Sequence, residues 1–338
     1  ETNDFEAANI AYIQFWVMDP FIYSANNKGQ LYINLGEISE DQLPDKRKSY
    51  ENGYAADGNN TGKVEPTALA NVPIVTTLNN FFDNSEGARN NQDLGIDGMT
   101  DEQEKVFWEQ EYLNKIATNF GVNSVFYQQA VSDPSNDNYI YYNDPDYSNS
   151  QTGIVDRYKR YNMQQGNSTD KQLPDGTAMS ATLTPDDEDI NRDFTMNQVE
   201  DYFQYRVEID PAKMVVGENF ITDKVTRPAA LQNGKTEDVS WYQFKIPVRE
   251  YQKKVGNIDD FKSIRFMRVF LKGFDSAIVC RFASMQLVRT DWRIYDFSLN
   301  KPGPVIPVDP NDKTVVLVNT VNIENNGARK PVPYVLPP

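Results

Sequence analysis

Tyr12-Ile13-Gln14-Phe15-Trp16-Val17-Met18, stopped by Asp19-Pro20 and followed by Phe21, decides the fold. Ile13, Phe15 and Val17 alternate with Tyr12, Gln14 and Trp16, the period-2 pattern of a strand. The alternate face carries aromatics as well, so both faces are expected to be covered. After a turn at Gly29 comes a second strand candidate, Leu31-Tyr32-Ile33-Asn34-Leu35-Gly36. The other strong candidates lie more than 200 positions away: Phe261–Leu271 and Val279–Val288. First and last strands that pair with one another close a β-sandwich of the jelly-roll kind. Tyr202–Ile209 and Trp241–Val248 alternate in the same way and supply intermediate strands. The expected fold is therefore mainly β: a jelly-roll-like β-sandwich with long insertions and at least one α-helix, at about 100–120.

The chain has 338 residues, is 39% hydrophobic and 12% aromatic, and can bury a substantial core. Its formal net charge of −16 repels phosphate backbones, so nucleic acid is excluded as a partner class. Histidine is absent, which removes Ser-His-Asp and Cys-His catalysis and the commonest zinc ligand. The single cysteine, Cys280, lies in a strand pattern and reads as a small core residue. No apolar run reaches the roughly 18 residues of a transmembrane helix, and no signal peptide is present. Starting at Glu1 and ending at Pro337-Pro338, the chain reads as a piece of a longer protein.

Residues 40–75 are rich in Asn, Gly, Asp and Lys and are expected as a surface excursion. Residues 100–120 form the clearest helix: Thr100 and Gln103 have capping-box spacing, Val106, Leu113, Ile116, Ala117 and Phe120 make an apolar stripe for packing on a sheet, and Gly121 is a stop. Residues 132–192 are polar with scattered tyrosines, and read either as an insertion, or satellite, or as a contact surface. Tyr139, Tyr141, Tyr142, Tyr147, Tyr158 and Tyr161 are its candidate partner contacts, because tyrosine offers large area and a hydroxyl at low entropy cost. Pro302, Pro304, Pro307 and Pro310 mark an extended exit linker within 301–338, and Thr314–Ile323 is a late β-prone run. Residues 1–300 are thus the sandwich module.

Asp93, Asp97, Asp101 and Glu104 fall at positions 1, 5, 9 and 12 of an EF-hand-like loop whose turn glycine is Gly98. Clustered hard oxygens suit calcium, although Gly95 at position 3 offers no ligand. The competing reading is a glycine-rich turn whose acids favour the dipole of the following helix. Asp186-Asp187-Glu188-Asp189 beside Arg192 is an acid run, expected to be solvated rather than a glycosidase pair. Trp16, Trp241 and Trp292 could stack on sugar, but Trp16 and Trp241 sit in strands and are expected in the core.

Several long blocks resemble the SprA/Sov family: YIQFWVMDPF (12–21), GQLYINLGEISEDQLPDKRKSYENG (29–53), DLGIDGMTDEQ (93–103), IVDRYKRYNMQQGNS (154–168), PDDEDINRDFTMNQVEDYFQYRV (185–207), WYQFKIPV (241–248), DFKSIRFMRVFLKGF (260–274), RFASMQLVRTDWRIYD (281–296) and NNGARKPVPYVLPP (325–338). Stretches 55–75 and 227–237 do not share it. The family is the giant outer-membrane translocon of the type IX secretion system of Bacteroidetes, tied to gliding motility. The resemblance implies a non-enzymatic soluble module attached to a very large outer-membrane β-barrel, on the extracellular side as a cap, with the periplasmic side as alternative. Implied partners are the rest of the barrel chain, other secretion-system proteins and transient secreted cargo. Asp275-Ser276-Ala277 resembles the O-glycosylation tripeptide of that phylum's envelope proteins. A carbohydrate-binding jelly roll of a surface glycan system is the alternative function.

Overall fold

The computed structural model describes residues 3–22, 26–75, 77, 79–231 and 234–290. Ten strands are found there: β1 (Ile10–Met18), β2 (Gly29–Glu37), β3 (Val64–Pro66), β4 (Asn71–Pro73), β5 (Asp201–Ile209), β6 (Ile221–Ala230), β7 (Thr236–Pro247), β8 (Lys253–Val255), β9 (Phe266–Lys272) and β10 (Phe282–Arg289). Six short helices fall between β4 and β5: α1 (Ala88–Gln92), α2 (Asp101–Phe107), α3 (Asn114–Phe120), α4 (Val125–Ser132), α5 (Pro145–Asn149) and α6 (Ile154–Tyr158).

Eight strands form two four-stranded sheets, ordered β10-β1-β7-β6 and β8-β5-β2-β9. All their pairings are antiparallel. Setting β3 and β4 aside, they nest like a rolled ribbon: first with last (β1 with β10), second with seventh (β2 with β9), third with sixth (β5 with β8), and fourth with fifth (β6 with β7). The expected closure of the first strand by the last is thus present, with Ile13 opposite Leu287 and Val17 opposite Phe282.

The two sheets share one core. Ile13, Phe15 and Val17 of β1 and Tyr242, Phe244 and Ile246 of β7 meet Leu31, Ile33 and Leu35 of β2 and Phe203, Tyr205, Val207 and Ile209 of β5. Phe15 stacks on Phe244 with ring centroids 5.2 Å apart. A fully buried Leu, Ile or Phe side chain stabilises by roughly 1.5–3 kcal/mol, so these alternating positions carry the sandwich.

Several expectations are corrected. Trp16 and Trp241 are half-buried and stand outside the core, because each has the opposite parity from the inward Phe15 and Tyr242 on its strand. Phe261 and Ile264 are buried, but as plugs in the segment before β9: Phe261 stacks on Phe203 at 4.2 Å, and its carbonyl accepts the Phe5 N–H. Cys280 is half-buried in the loop before β10, not in a strand, and burial pushes its thiol up. The expected linker 301–338, Trp292 and the Thr314–Ile323 run lie outside the described residues.

Helix 100–120 is corrected in shape. Its start carries the predicted capping box, the Thr100 N–H donating to Gln103 Oε1 at 3.0 Å. A π-helical turn over Glu109–Leu113 then splits it into α2 and α3. The wider turn breaks the 3.6-residue register, so the predicted stripe does not pack as one face. Leu113 is buried, Ile116 and Ala117 are half-buried, and Val106 and Phe120 are exposed.

Residues 38–200, between β2 and β5, fold back on themselves as a satellite. The expected surface excursion 40–75 is inside it in part: Ser49, Glu51, Tyr54, Ala70 and Val72 are all buried. Its inner polar groups include several carboxylates that accept backbone N–H groups from distant loops. Glu40 accepts from Asn191 and Asn197, and Glu51 from Gly95 and Asp186. Glu188 accepts from Gln42 at 2.8 Å, Leu43 at 3.1 Å and Ser49 at 2.8 Å. Asp189 accepts from Asp193 and Phe194 and pairs with Lys48. The acid run 186–189, expected to be solvated, therefore contributes two of the most buried side chains in the chain, Glu188 and Asp189. Irregular loops leave backbone donors without ladder partners, and a buried carboxylate can satisfy two or three of them at once.

Candidate functional site

The Asp93–Glu104 loop lies at the centre of this satellite. Gly95 and Gly98 both have positive φ, +74° and +67°, and let the loop fold inward. A side chain at Gly98 would overlap the Tyr54 hydroxyl and stand 2.6 Å from the Asn71 carbonyl. Gly98→Ala is therefore expected to cost about 2 kcal/mol or more, since it adds backbone strain to a clash with a buried wall. A thermal melt of the purified variant checks this, against Gly176→Ala, which meets nothing within 4 Å.

Three of the four predicted calcium residues come together, and one does not. Carboxylate oxygens of Asp97, Glu104 and Asp137 lie within 4.8 Å of one another, as do those of Asp101, Glu104 and Asp133, so Glu104 is shared by both groups. Asp93 faces elsewhere: its two oxygens accept the N–H groups of Gly166 (3.1 Å) and Ser168 (3.0 Å). An EF-hand wraps all four around one ion, and this loop does not.

The missed ligand candidates, Asp133 and Asp137, sit on the Asp133-Pro134-Ser135-Asn136-Asp137-Asn138 strap after α4. That strap is tied to the loop throughout. Ser135 donates its N–H to Glu104 Oε2 (2.9 Å) and its hydroxyl to Asp97 Oδ2 (2.5 Å). Asn138 donates to Asp101 Oδ1 (2.8 Å), and Arg160 pairs with Asp133. The run of Asp, Asn and Ser at 133–138 is the sequence signal for it.

Electrostatically the cluster is short of positive charge. Glu104 is fully buried and Asp97 nearly so. Burial, then neighbouring carboxylates, pushes Asp137 up to about 8 and Glu104 to about 7. Burial pushes Asp97 up to about 6 against the Ser135 hydroxyl and the Met99 N–H, which pull it down. The Gln165 amide completes the ring, its end group 3.1 Å from Glu104 Oε1 and 3.2 Å from Asp137 Oδ1. With its NH2 turned inward it donates to both carboxylates; turned over, it presents a carbonyl oxygen to the same point. Each group offers three carboxylate oxygens, and the Gln165 amide faces the Asp97, Glu104 and Asp137 group; hard oxygens of this kind are what a divalent cation takes.

Five of the six predicted tyrosines form one aromatic cluster. Tyr142 contacts Tyr141 (4.6 Å), Tyr158 (5.5 Å) and Tyr161 (5.6 Å), and Tyr139 contacts Tyr161 (5.8 Å). Tyr147 is apart from them, under the Arg157 guanidinium at 5.8 Å. Tyr141 is buried, while Tyr158 is 48% exposed. The cluster is therefore mostly an internal pack with one open face. Tyr139, Tyr141 and Tyr147 also line a groove of about 490 Å³ with Asp93, Asn138 and Gln165; the five clustered carboxylates do not line it.

The arrangement is an antiparallel sandwich carrying a carboxylate-stapled satellite. The family of motility related/secretion proteins defined by the SprA N-terminal region matches residues 111–338, and the chain belongs to it. No curated protein matches the chain. The match takes in the strap, the tyrosines and β5–β10, while β1 and β2, which pair with β10, β7, β5 and β9, lie before it. Among the described residues no helix is long and apolar enough to cross a membrane.

Proposed function

We propose that this chain is a non-enzymatic module of an outer-membrane protein-export translocon, acting as an extracellular cap that shapes the pore and contacts partner proteins in type IX secretion and gliding motility. Membership of a motility and secretion family supports the setting. The observation that carries the interaction role is the open edge of the sandwich. Val269 and Leu271 of β9 stand opposite the buried Ile33 and Leu31, and Phe282 and Leu287 of β10 opposite the buried Val17 and Ile13, so all four are on the inward register. Each is nonetheless 39–42% exposed. Nothing among the described residues covers this apolar edge, which makes it a candidate contact surface.

The test is to replace Val269, Leu271, Phe282 and Leu287 by serine in the parent protein. Export and gliding are expected to fall several-fold with the protein still present at the cell surface. Normal export by that variant would remove the edge from the mechanism. Antibody labelling of intact cells against residues 132–192 separates the two faces, and an extracellular cap is labelled without permeabilisation.

We further propose that the Asp97, Asp101, Glu104, Asp133 and Asp137 cluster, with Gln165, holds a structural calcium ion, and that the open face at Tyr158 is part of the partner contact. The fully buried Glu104, facing Asp137 and one amide, supports the ion. The ion would tie loop 93–104 to strap 133–138.

A further inference from the structure

Strands β9 and β10 end their sheets on the same side of the sandwich. Each lies outside one of the facing central strands, β10 beside β1 and β9 beside β2. Between them is a slot lined by the inward-register Val269, Leu271, Phe282 and Leu287. The outer side of an edge strand carries a row of N–H and C=O groups, which is a template for one more strand. Among the described residues no backbone bond reaches the outer side of β9 or β10. The two edges are not equivalent. β10 is bulged: its register on β1 slips between Gln14 and Trp16, and Ser284 within it has φ +53°. A bulge twists an edge and blunts it for pairing. β9 pairs with β2 without a slip from Phe266 to Lys272 and contains no proline. It is thus the edge open to another strand, and β10 is the wall that faces it.

Charge narrows what can enter. Residues 261–289 hold six Lys or Arg and one acid, Asp275, in a chain of net charge −16. The cations fall at both ends of the slot. Lys272 stands opposite Gln30, and Arg281 precedes Phe282, which stands opposite Val17, so both mark the end where β1 passes to β2. Arg265, whose N–H donates to Gly36 O, and Arg289, opposite Ile10, mark the other end. All four are exposed. Arg265 pairs with Glu37 at 3.1 Å, while Lys272, Arg281 and Arg289 have no ion-pair partner among the described residues. An apolar slot with free cations at its ends is complementary to an apolar strand with acidic ends. A second copy of this edge would bring like charges together, and a lipid surface would leave the β9 backbone row unbonded.

We propose that the slot between β9 and β10 takes an extended segment of a partner protein, apolar at alternate positions and acidic at both ends, which adds to β9 as a further strand of its sheet. The proposal rests on the edge being the contact surface of the export role above, and names what fills it. Main-chain bonds to β9 supply affinity, the alternate apolar side chains cover Val269, Leu271, Phe282 and Leu287, and the end charges set which segments are accepted.

The test is binding of a labelled synthetic peptide to this chain, read by fluorescence anisotropy and by amide hydrogen exchange. The peptide alternates valine with threonine and ends in aspartates on both sides. The expected result is saturable binding that weakens with salt, with exchange slowed in β9 and unchanged in β6. The same peptide ending in lysines is expected to bind about tenfold more weakly. Joint reversal by Lys272→Glu, Arg281→Glu and Arg289→Glu is expected to invert that preference, with circular dichroism showing that the fold is retained. A strand added at an edge bonds through one side of its backbone. N-methylation of either the valines or the threonines, but not of both sets alike, is therefore expected to abolish binding. No saturable binding, equal binding of acidic and basic peptides, or equal effects of the two methylation patterns overturns the proposal. Exchange in β9 that is already slow in the free monomer shows an edge filled from within this chain, and slow exchange that depends on protein concentration shows a second copy; either overturns it. Export is a separate readout. If the serine edge variant exports poorly while no peptide binds, this proposal falls and the export reading stands; peptide binding with normal export by that variant gives the reverse.

Discussion

Glu188→Ala is expected to destabilise the satellite by about 3–5 kcal/mol, among the largest effects of any single substitution in the chain. Glu188 is fully buried, and its two oxygens hold the N–H groups of Gln42, Leu43 and Ser49. Each buried donor stripped of its acceptor costs about 1–3 kcal/mol, and water entering the emptied site offsets part of the sum. Nothing else in the segment replaces the bonds: Leu43 and Gln42 lie in an irregular stretch with no sheet partner. The effect is local, because the sandwich core contains no residue of this loop. Hydrogen exchange should therefore show loss of protection at residues 41–51 and 186–191, with β1, β2, β5 and β7 protected as before. A proteolysis assay should show new cleavage between 40 and 50. Asp175→Ala, at an exposed acid, is the control and should change neither. If Glu188→Ala leaves exchange at 41–51 unaltered, the carboxylate is not what holds that loop.

The contrast between sandwich and satellite explains what the sequence could reveal. Strands β1, β2, β5 and β7 were legible because period-2 alternation is a local signal, and Ile13, Phe15 and Val17 express it without knowledge of their partners. Pairing of the first strand with the last followed from closure of the sheet. Edges were less legible: Phe261 and Ile264 are apolar for core reasons, yet they plug the core from a loop. The satellite carries no such period. Its buried groups include Glu40, Glu51, Glu188 and Asp189, residue types whose composition says surface. What decides their burial is which distant N–H groups face them, and Glu188 lies 139 positions from Ser49. The carboxylate cluster was half legible for the same reason. Asp97, Asp101 and Glu104 share one loop and fit a known spacing, but Asp133 and Asp137 arrive from a strap some thirty residues away. Asp93 matched the spacing and serves another role, because its oxygens are claimed by Gly166 and Ser168.

Calcium and pH are expected to act in opposition on this protein. In chelator the buried acids are all shifted upward: Asp137 to about 8, Glu104 and Asp93 to about 7, Asp97 to about 6. A carboxyl whose folded pKa exceeds its unfolded value near 4 binds more protons folded than unfolded between those two values. The contribution of these groups to stability is then greatest at and below about pH 4, falls as pH rises past it, and levels off above about pH 8, where the last of them has ionised. The metal-free melting temperature should therefore fall steadily from pH 5 to pH 8. A divalent cation takes the ionised form, so its stabilisation grows across the same window. With a dissociation constant of about 0.1–1 mM, 10 mM calcium adds about 1.4–2.7 kcal/mol at pH 8 and little at pH 5. Glu104→Gln with Asp137→Asn sharpens the test, since both changes keep shape and remove charge. That variant should be more stable than the parent at pH 8 in chelator, because two ionisation penalties vanish, and its melting temperature should no longer respond to calcium. A cluster that served only as a staple would give a different pattern. The parent would show no calcium shift at any pH and no heat by titration calorimetry, while the doubly neutral variant would still gain at pH 8. Calcium dependence and relief on neutralisation are thus separate readouts: the first decides whether the oxygens hold an ion, and the second measures what their burial costs without one.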